Sequence, residues 1–301
     1  MILLAGQPRT MRERIALRTR PRGPEAVLAS LQRGLAVEGV DFALNPRRLA
    51  AEGVVGVLSG HDALARAIEW RQGGSGRRLL AGPNLVILPS DEPELMTAPE
   101  IDLCLVPSEW VKRLYEEDSP ELRGRVAVWP AGVDPDYWTP GEPSRRALVY
   151  VKRVDGQRNV EDAEVAGARS ALERAGFEVV PLEYGTFKPS AYRSALRGAA
   201  LMVFFSPTES QCLALVEAWA ADVPTLVWDC GRLEYKGRVY EGSSAPYLSP
   251  ATGAAFSGDS GDLIARWDEL RPGFRPREWV LENMTDAVCA RAYRRLASEA
   301  Y

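Results

Sequence analysis

Twice along the chain, short apolar runs alternate with stretches whose apolar residues recur every three or four positions. Residues 14–19 read as a first strand, a Pro/Gly turn holding Gly23 follows, and Ala26, Val27, Leu28, Leu31 and Leu35 set a helix over 25–37. Strands over 54–58, 85–88 and 101–106, with helices over 61–70 and 109–116, continue the series. Residues 126–143 interrupt it with four prolines and two glycines. The alternation then restarts: strand 147–151, helix 162–175, strand 177–182, helix 190–197, strands 201–205 and 225–228. Strands joined by helices close into a parallel, doubly wound sheet. Two such series predict an α/β chain of two domains, residues 1–142 and 143–301. Residues 235–261, rich in Gly, Ser and Pro, read as irregular connection. Trp279, Val280, Met284, Val288, Ala292, Tyr293 and Leu296 mark one long last helix, about 277–300, whose apolar stripe must pack on something. Residues 1–10 read as a loose extension.

A length of 301 residues with 46% apolar content is enough for two cores. A net charge of −4 argues against a general nucleic-acid binder. Cys104, Cys212, Cys230 and Cys289 are widely spaced and form no C-x-x-C pair, which suits a reducing cytoplasm. His61 is the one histidine, so a multi-histidine metal site is ruled out. The apolar start before Gly6 is too short for a signal-peptide core, and no run reaches the roughly 18 residues of a membrane span. A peripheral membrane association stays open.

Ligands of open α/β sheets bind beyond the carboxyl ends of the strands, so the residues that follow strands carry the chemistry. After 147–151 come Lys152, Arg153 and Arg158. After 201–205 comes Ser206-Pro-Thr-Glu-Ser-Gln-Cys212, leading into a helix expected to begin near Ser210. A helix N-terminus presents unpaired N–H groups and attracts phosphate, and the three cations would neutralise the rest of its charge. Glu209 at the mouth and Glu217 about two turns along lie roughly 12 Å apart at 1.5 Å per residue. That is the span of a nucleotide diphosphate sugar, with one carboxylate for sugar hydroxyls and the other for ribose hydroxyls.

Pro207-Thr-Glu209, Leu213, Glu217-Ala218 and Val223-Pro224 resemble, in order and spacing, the Glu-x7-Glu signature of the retaining glycosyltransferases of family 4. Val106-Pro-Ser-Glu-Trp-Val111, Pro130-Ala-Gly-Val-Asp-Pro-Asp-Tyr-Trp-Thr-Pro140 and Tyr150-Val-Lys-Arg153 are similar to three further pieces of that family, and the likeness covers about residues 101 to 230. It implies the GT-B fold: two Rossmann-like domains facing across a cleft, the first for the acceptor and the second for the donor, with the C-terminal helix crossing back to the first domain. It implies a UDP- or GDP-linked sugar donor, a glycan, lipid-linked or small-molecule hydroxyl acceptor, and neither cofactor nor metal. By the same resemblance Glu209 contacts the donor sugar, Glu217 the ribose, and Arg153 and Arg158 the diphosphate, while the backbone of Ser210, Gln211, Cys212 and Leu213 cradles the phosphates. His61 is the candidate for the first domain's catalytic-region histidine or for an acceptor-side loop. Gly23 either lines the cleft or serves a turn. The sequence departs from the family where Lys152, Cys212 and Asp222 replace glycines and Gln211 an aromatic residue. Two rival readings stay open: a nucleotide-sugar-binding protein without transfer activity, and another GT-B activity such as a sugar-nucleotide epimerase or a phosphorylase.

Overall fold

The computed structural model describes residues 1–6, 23–74, 76 and 78–298. It divides into two units, one of Met1–Gly132 with Asp286–Tyr301 and the other of Val133–Thr285.

In the first unit the strands are β1 (Ile2–Leu4), β2 (Ala43–Leu44), β3 (Val54–Ser59), β4 (Arg78–Asn84), β5 (Leu103–Val106) and β6 (Val126–Val128). They form one parallel sheet in the order β2-β1-β3-β4-β5-β6. Helices α1 (Gly23–Val37), α2 (His61–Gln72), α3 (Pro93–Met96) and α4 (Glu109–Asp118) connect them. A parallel sheet covered on both faces needs strands that are apolar throughout. Leu3, Leu4, Val55, Val57, Leu79, Leu80 and Leu105 meet that need, each at most 1% exposed.

Several expectations are corrected here. The start of the chain is an inner strand, not a loose extension: β1 lies between β2 and β3 with Ile2, Leu3 and Leu4 buried. The strand expected over 14–19 falls outside the described residues. The third expected strand lies earlier, at β4, and residues 85–88 form a bend instead. Gly82 permits that placement, because a Cβ there would come within 2.1 Å of the Leu105 carbonyl oxygen on the neighbouring strand.

In the second unit β7 (Arg146–Val151), α5 (Asp162–Arg174), β8 (Glu178–Glu183), α6 (Pro189–Leu196), β9 (Ala199–Phe205), α7 (Leu213–Ala220) and β10 (Thr225–Trp228) follow in sequence. Residues 235–261 are not simply irregular. They contain most of an antiparallel hairpin, β11 (Arg232–Tyr235) with β12 (Arg238–Glu241), and the edge strand β13 (Gly253–Phe256). The parallel sheet runs β13-β10-β9-β7-β8. Alternate residues of β7 serve its two faces. Ala147, Val149 and Val151 pack with Val165 and Leu172 of α5. Tyr150 stacks on Phe204 at 4.9 Å and meets Tyr192 of α6 edge-on at 5.8 Å.

The passage 133–142, assigned by sequence to the first domain, groups with the second unit. Arg193 Nε donates to the Tyr137 carbonyl at 2.6 Å, Arg277 donates to the Trp138 carbonyl at 3.0 Å, and Trp138 packs edge-on against Tyr192. The long last helix is two helices. Helix α8 (Pro276–Asn283) lies against α7 in the second unit, with Trp279 edge-on to Trp219 at 5.5 Å. The terminal helix Asp286–Ser298 belongs to the first unit and packs along α1. Gly34 makes that contact close, since a Cβ there would lie 2.1 Å from the Asp286 carbonyl oxygen. None of the helices among the described residues is long and apolar enough to cross a membrane.

Candidate functional site

In the second unit the strand order reverses between β7 and β9, which are hydrogen-bonded neighbours with β8 on the far side of β7. Such a reversal opens a crevice at the carboxyl ends of the two strands, where open α/β sheets bind ligands. The chain places Lys152 directly after β7 and the loop 206–212 directly after β9. The Lys152 N–H continues the ladder by donating to the Phe205 carbonyl at 2.8 Å.

Glu209 is fixed at this point from several sides. Its N–H donates to the Ser243 carbonyl at 2.8 Å. Its Oε1 accepts from Lys152 Nζ at 2.7 Å and from Ser206 Oγ at 2.8 Å. Both charged side chains are largely buried, Lys152 at 22% and Glu209 at 12% side-chain exposure. Burial alone would lower the Lys152 pKa, but the Glu209 charge and hydrogen bond outweigh it and hold the amine above the ordinary lysine value. The other side of the ammonium faces the Tyr184 ring, 5.1 Å from its centroid.

A second layer supports the loop. Asp229, just beyond β10, accepts from Ser243 Oγ at 2.7 Å and from the Ser244 N–H at 3.1 Å. Ser244 Oγ in turn donates to the Ser206 carbonyl at 2.6 Å. Sequence reasoning missed Ser206, Asp229, Ser243 and Ser244. For Ser206 and Asp229 a signal was available, since each directly follows a strand.

Helix α7 begins at Leu213 and not near Ser210, because Cys212 sits in the left-handed region at φ 50°, ψ 64°. Gln211 and Cys212 are buried, whereas Ser210 is exposed. Asp222, at the other end of the helix, also has positive φ, 61°. A side chain in this region costs about 1–2 kcal/mol that glycine avoids. Replacing Cys212 by glycine relieves that cost while removing a buried thiol, so the net change in unfolding free energy is expected to stay within about 1 kcal/mol. Replacing it by valine, which is β-branched at positive φ, is expected to destabilise by more than the glycine change. Urea unfolding of the two variants checks both expectations. Burial, followed by the Glu209 charge, pushes the Cys212 thiol well above its ordinary range, so it stays protonated.

Glu217 lies half-buried on α7. After burial, its charge is the next largest cause raising the phenol of Tyr192, and it is a smaller cause raising that of Tyr150. Arg153 is exposed and bonded to Glu183 Oε1 at 2.9 Å and Asp162 Oδ1 at 2.5 Å. Arg158 is exposed on the turn that follows. That turn is tied to the hairpin, where Gln157 Oε1 accepts from the Glu234 N–H at 3.1 Å.

His61 and Gly23 lie in the first unit. His61 opens α2, and its Nε2 donates to the Leu85 carbonyl at 2.9 Å while Nδ1 faces Glu92 Oε1 at 3.6 Å. The first sheet also reverses order, between β1 and β3. There Gly6, Asn45, Gly60, His61, Asp62 and Arg66 line an open depression of about 580 Å³. Gly23 is the exposed first residue of α1, with nothing within 4 Å of where a Cβ would stand. The structure thus brings Lys152, Glu209 and Cys212 together in one unit, whereas His61 stands at the switch point of the other. Among the described residues no three His, Cys, Asp or Glu side chains converge in a group that could hold a metal ion.

No family model matches the chain, and no curated protein does. Solved structures do. A glycosyltransferase from Rickettsia africae ESF-5 is similar over 98% of this chain and 89% of its own, at 10% identity and a TM-score of 0.56. Sucrose-phosphate synthase from Thermosynechococcus elongatus is similar over 98% of both chains, at 13% identity and a TM-score of 0.55. The lipopolysaccharide outer core galactosyltransferase WaaB is similar over 98% of both chains, at 10% identity and a TM-score of 0.53. The likeness extends across both units and gives the chain the fold of these enzymes, two Rossmann-like units of the GT-B kind.

Proposed function

We propose that the chain is a retaining glycosyltransferase of the family 4 kind, taking its sugar from a UDP- or GDP-linked donor. The observation that carries this reading is the position of Glu209. It is held at the β7/β9 switch point, at the mouth of the helix that bears Glu217. A second observation supports the alignment with the family signature. Cys212 and Asp222, which replace family glycines, both stand in the left-handed backbone region that glycine favours.

In this reading Glu209 accepts hydrogen bonds from the donor sugar and Glu217 from the ribose, and the N–H groups at the start of α7 meet the diphosphate. Arg153 and Arg158 add positive charge, Arg153 by exchanging a carboxylate partner for phosphate. The anomeric carbon loses its bond to the diphosphate oxygen and gains one to the acceptor oxygen on the same face. The acceptor's proton passes to the departing phosphate oxygen, so the step balances without a metal. His61 belongs to the acceptor side. A cytoplasmic location keeps the four unpaired thiols reduced.

A panel of UDP- and GDP-linked hexoses, screened by thermal shift, tests the reading. A donor at 100 times its dissociation constant is expected to add about 2.7 kcal/mol of stability, and the stabilising donor should slowly release its nucleoside diphosphate. Binding without release would favour a nucleotide-sugar-binding protein, and a 2-epimer formed without acceptor would favour an epimerase. No stabilisation by any donor would end the reading.

A further inference from the structure

Lys152 stands at the end of β7 where the similar family has glycine, and composition alone groups it with Arg153 and Arg158 as a phosphate counter-ion. The geometry separates it from them. Arg153 and Arg158 are exposed, whereas Lys152 is folded inward and engaged on two sides, by a carboxylate at 2.7 Å and by an aromatic face at 5.1 Å. Ser206, fully buried, donates to the same carboxylate oxygen at 2.8 Å. A lysine is a useful phosphate clamp when its flexible stem leaves the ammonium free to follow the ligand. Here the ammonium is committed, and leaving Glu209 would strand a largely buried carboxylate.

We infer that Lys152 is a positioning residue for Glu209 and not a ligand of the phosphates. With Ser206 it fixes Oε1, so that the acid meets the donor in one orientation. The backbone bond from Glu209 to Ser243, itself bonded to Asp229, ties the Glu209 main chain to the neighbouring loop. The inference rests on the reading above, that Glu209 faces a donor sugar.

The two roles predict different kinetics for Lys152→Met. A positioning residue acts on the reacting geometry, where a misplacement of about 1 Å costs on the order of 10²-fold in rate. A phosphate ligand acts on affinity, and removing a charged hydrogen bond weakens binding by roughly 10- to 100-fold. The experiment measures nucleoside diphosphate release from the donor found in the screen, with kcat and KM separated, and titrates UDP or GDP alone. The expected result is a kcat lowered about 10²-fold with nucleoside diphosphate affinity nearly unchanged. Lys152→Arg, which keeps the charge beside Glu209, should recover most of the rate. Ser206→Ala, which removes the other donor to the same oxygen, should lower kcat in the same direction by less.

Weakened UDP or GDP binding at unchanged kcat in Lys152→Met would overturn the inference, as would a Lys152→Arg enzyme no faster than Lys152→Met. If the Met variant does not fold, the Arg and Ala variants decide by the same split. An unchanged protein that turns over no donor would instead defeat the functional reading itself, so the two failures are distinct.

Discussion

Replacing Glu209 by glutamine is expected to reduce donor turnover by roughly 10²- to 10³-fold, the range seen when one preorganised polar contact to a transition state is removed. Glutamine keeps the shape of the side chain and loses the charge. Hydrogen bonds from sugar hydroxyls to a carboxylate strengthen as positive charge develops at the anomeric carbon, and an amide cannot follow. The change also leaves Lys152, only 22% exposed, without its ionic partner. A further destabilisation of about 1–3 kcal/mol should therefore accompany the loss of rate. Coupled detection of nucleoside diphosphate release measures the first effect and urea unfolding the second. Turnover equal to that of the unchanged protein would remove Glu209 from the chemistry.

The second large effect is one of stability. Trp129 is fully buried in the first unit, its Nε1 donates to the Cys289 carbonyl at 2.9 Å, and its ring meets Tyr293 edge-on at 4.9 Å. Trp129→Ala is expected to cost about 3–5 kcal/mol, the sum of lost transfer energy and the cavity left behind. The damage should centre on the terminal helix, because both contacts of the indole reach residues of that helix. Faster amide exchange over 286–298 than over α7 is the diagnostic result. A loss below about 1 kcal/mol would mean that the helix is not held by this side chain. Trp129→Phe, which keeps most of the ring and drops the N–H bond, should cost about 1 kcal/mol.

Regular patterns were easy to read in the sequence, and features that depend on one residue's backbone angle or on distant partners were not. Strands β7, β9 and β10 are apolar runs bounded by polar residues, and helices α1, α5 and α6 keep their helical spacing. Each was visible to within a few residues. Strand β1 was missed because three buried apolar residues carry no periodicity to set them apart from a disordered start. Residues 85–88 looked more like a strand than β4 does, since β4 contains Gly82 and Pro83, which usually demote a strand. The ladder tolerates them because its register shifts just there, between Val57 and Ser59 of β3.

The hairpin was a different kind of miss, because its signal was present. Lys236 and Gly237 separate two alternating runs, and both have positive φ, as the two-residue hairpin turn requires. At the site, Lys152 and Glu209 could be singled out from their positions after strands, and Glu217 from its place eight residues beyond Glu209. Their partnership could not, because 57 positions separate Lys152 from Glu209. Only the adjacency of β7 and β9 brings them together. The start of α7 was misplaced for a local reason: propensity gives no warning that Cys212 will take a glycine-like conformation.

The terminal helix completes the first unit, yet it is reached in sequence only after the whole of the second. In order of synthesis, every residue of the second unit, Val133 to Thr285, leaves the ribosome before the segment that packs along α1 and against Trp129. The second unit can close while the first still waits for its last helix. The residues translated first therefore belong to the unit that is completed last, and a chain stopped after Thr285 would carry every residue of the second unit but lack the last helix of the first.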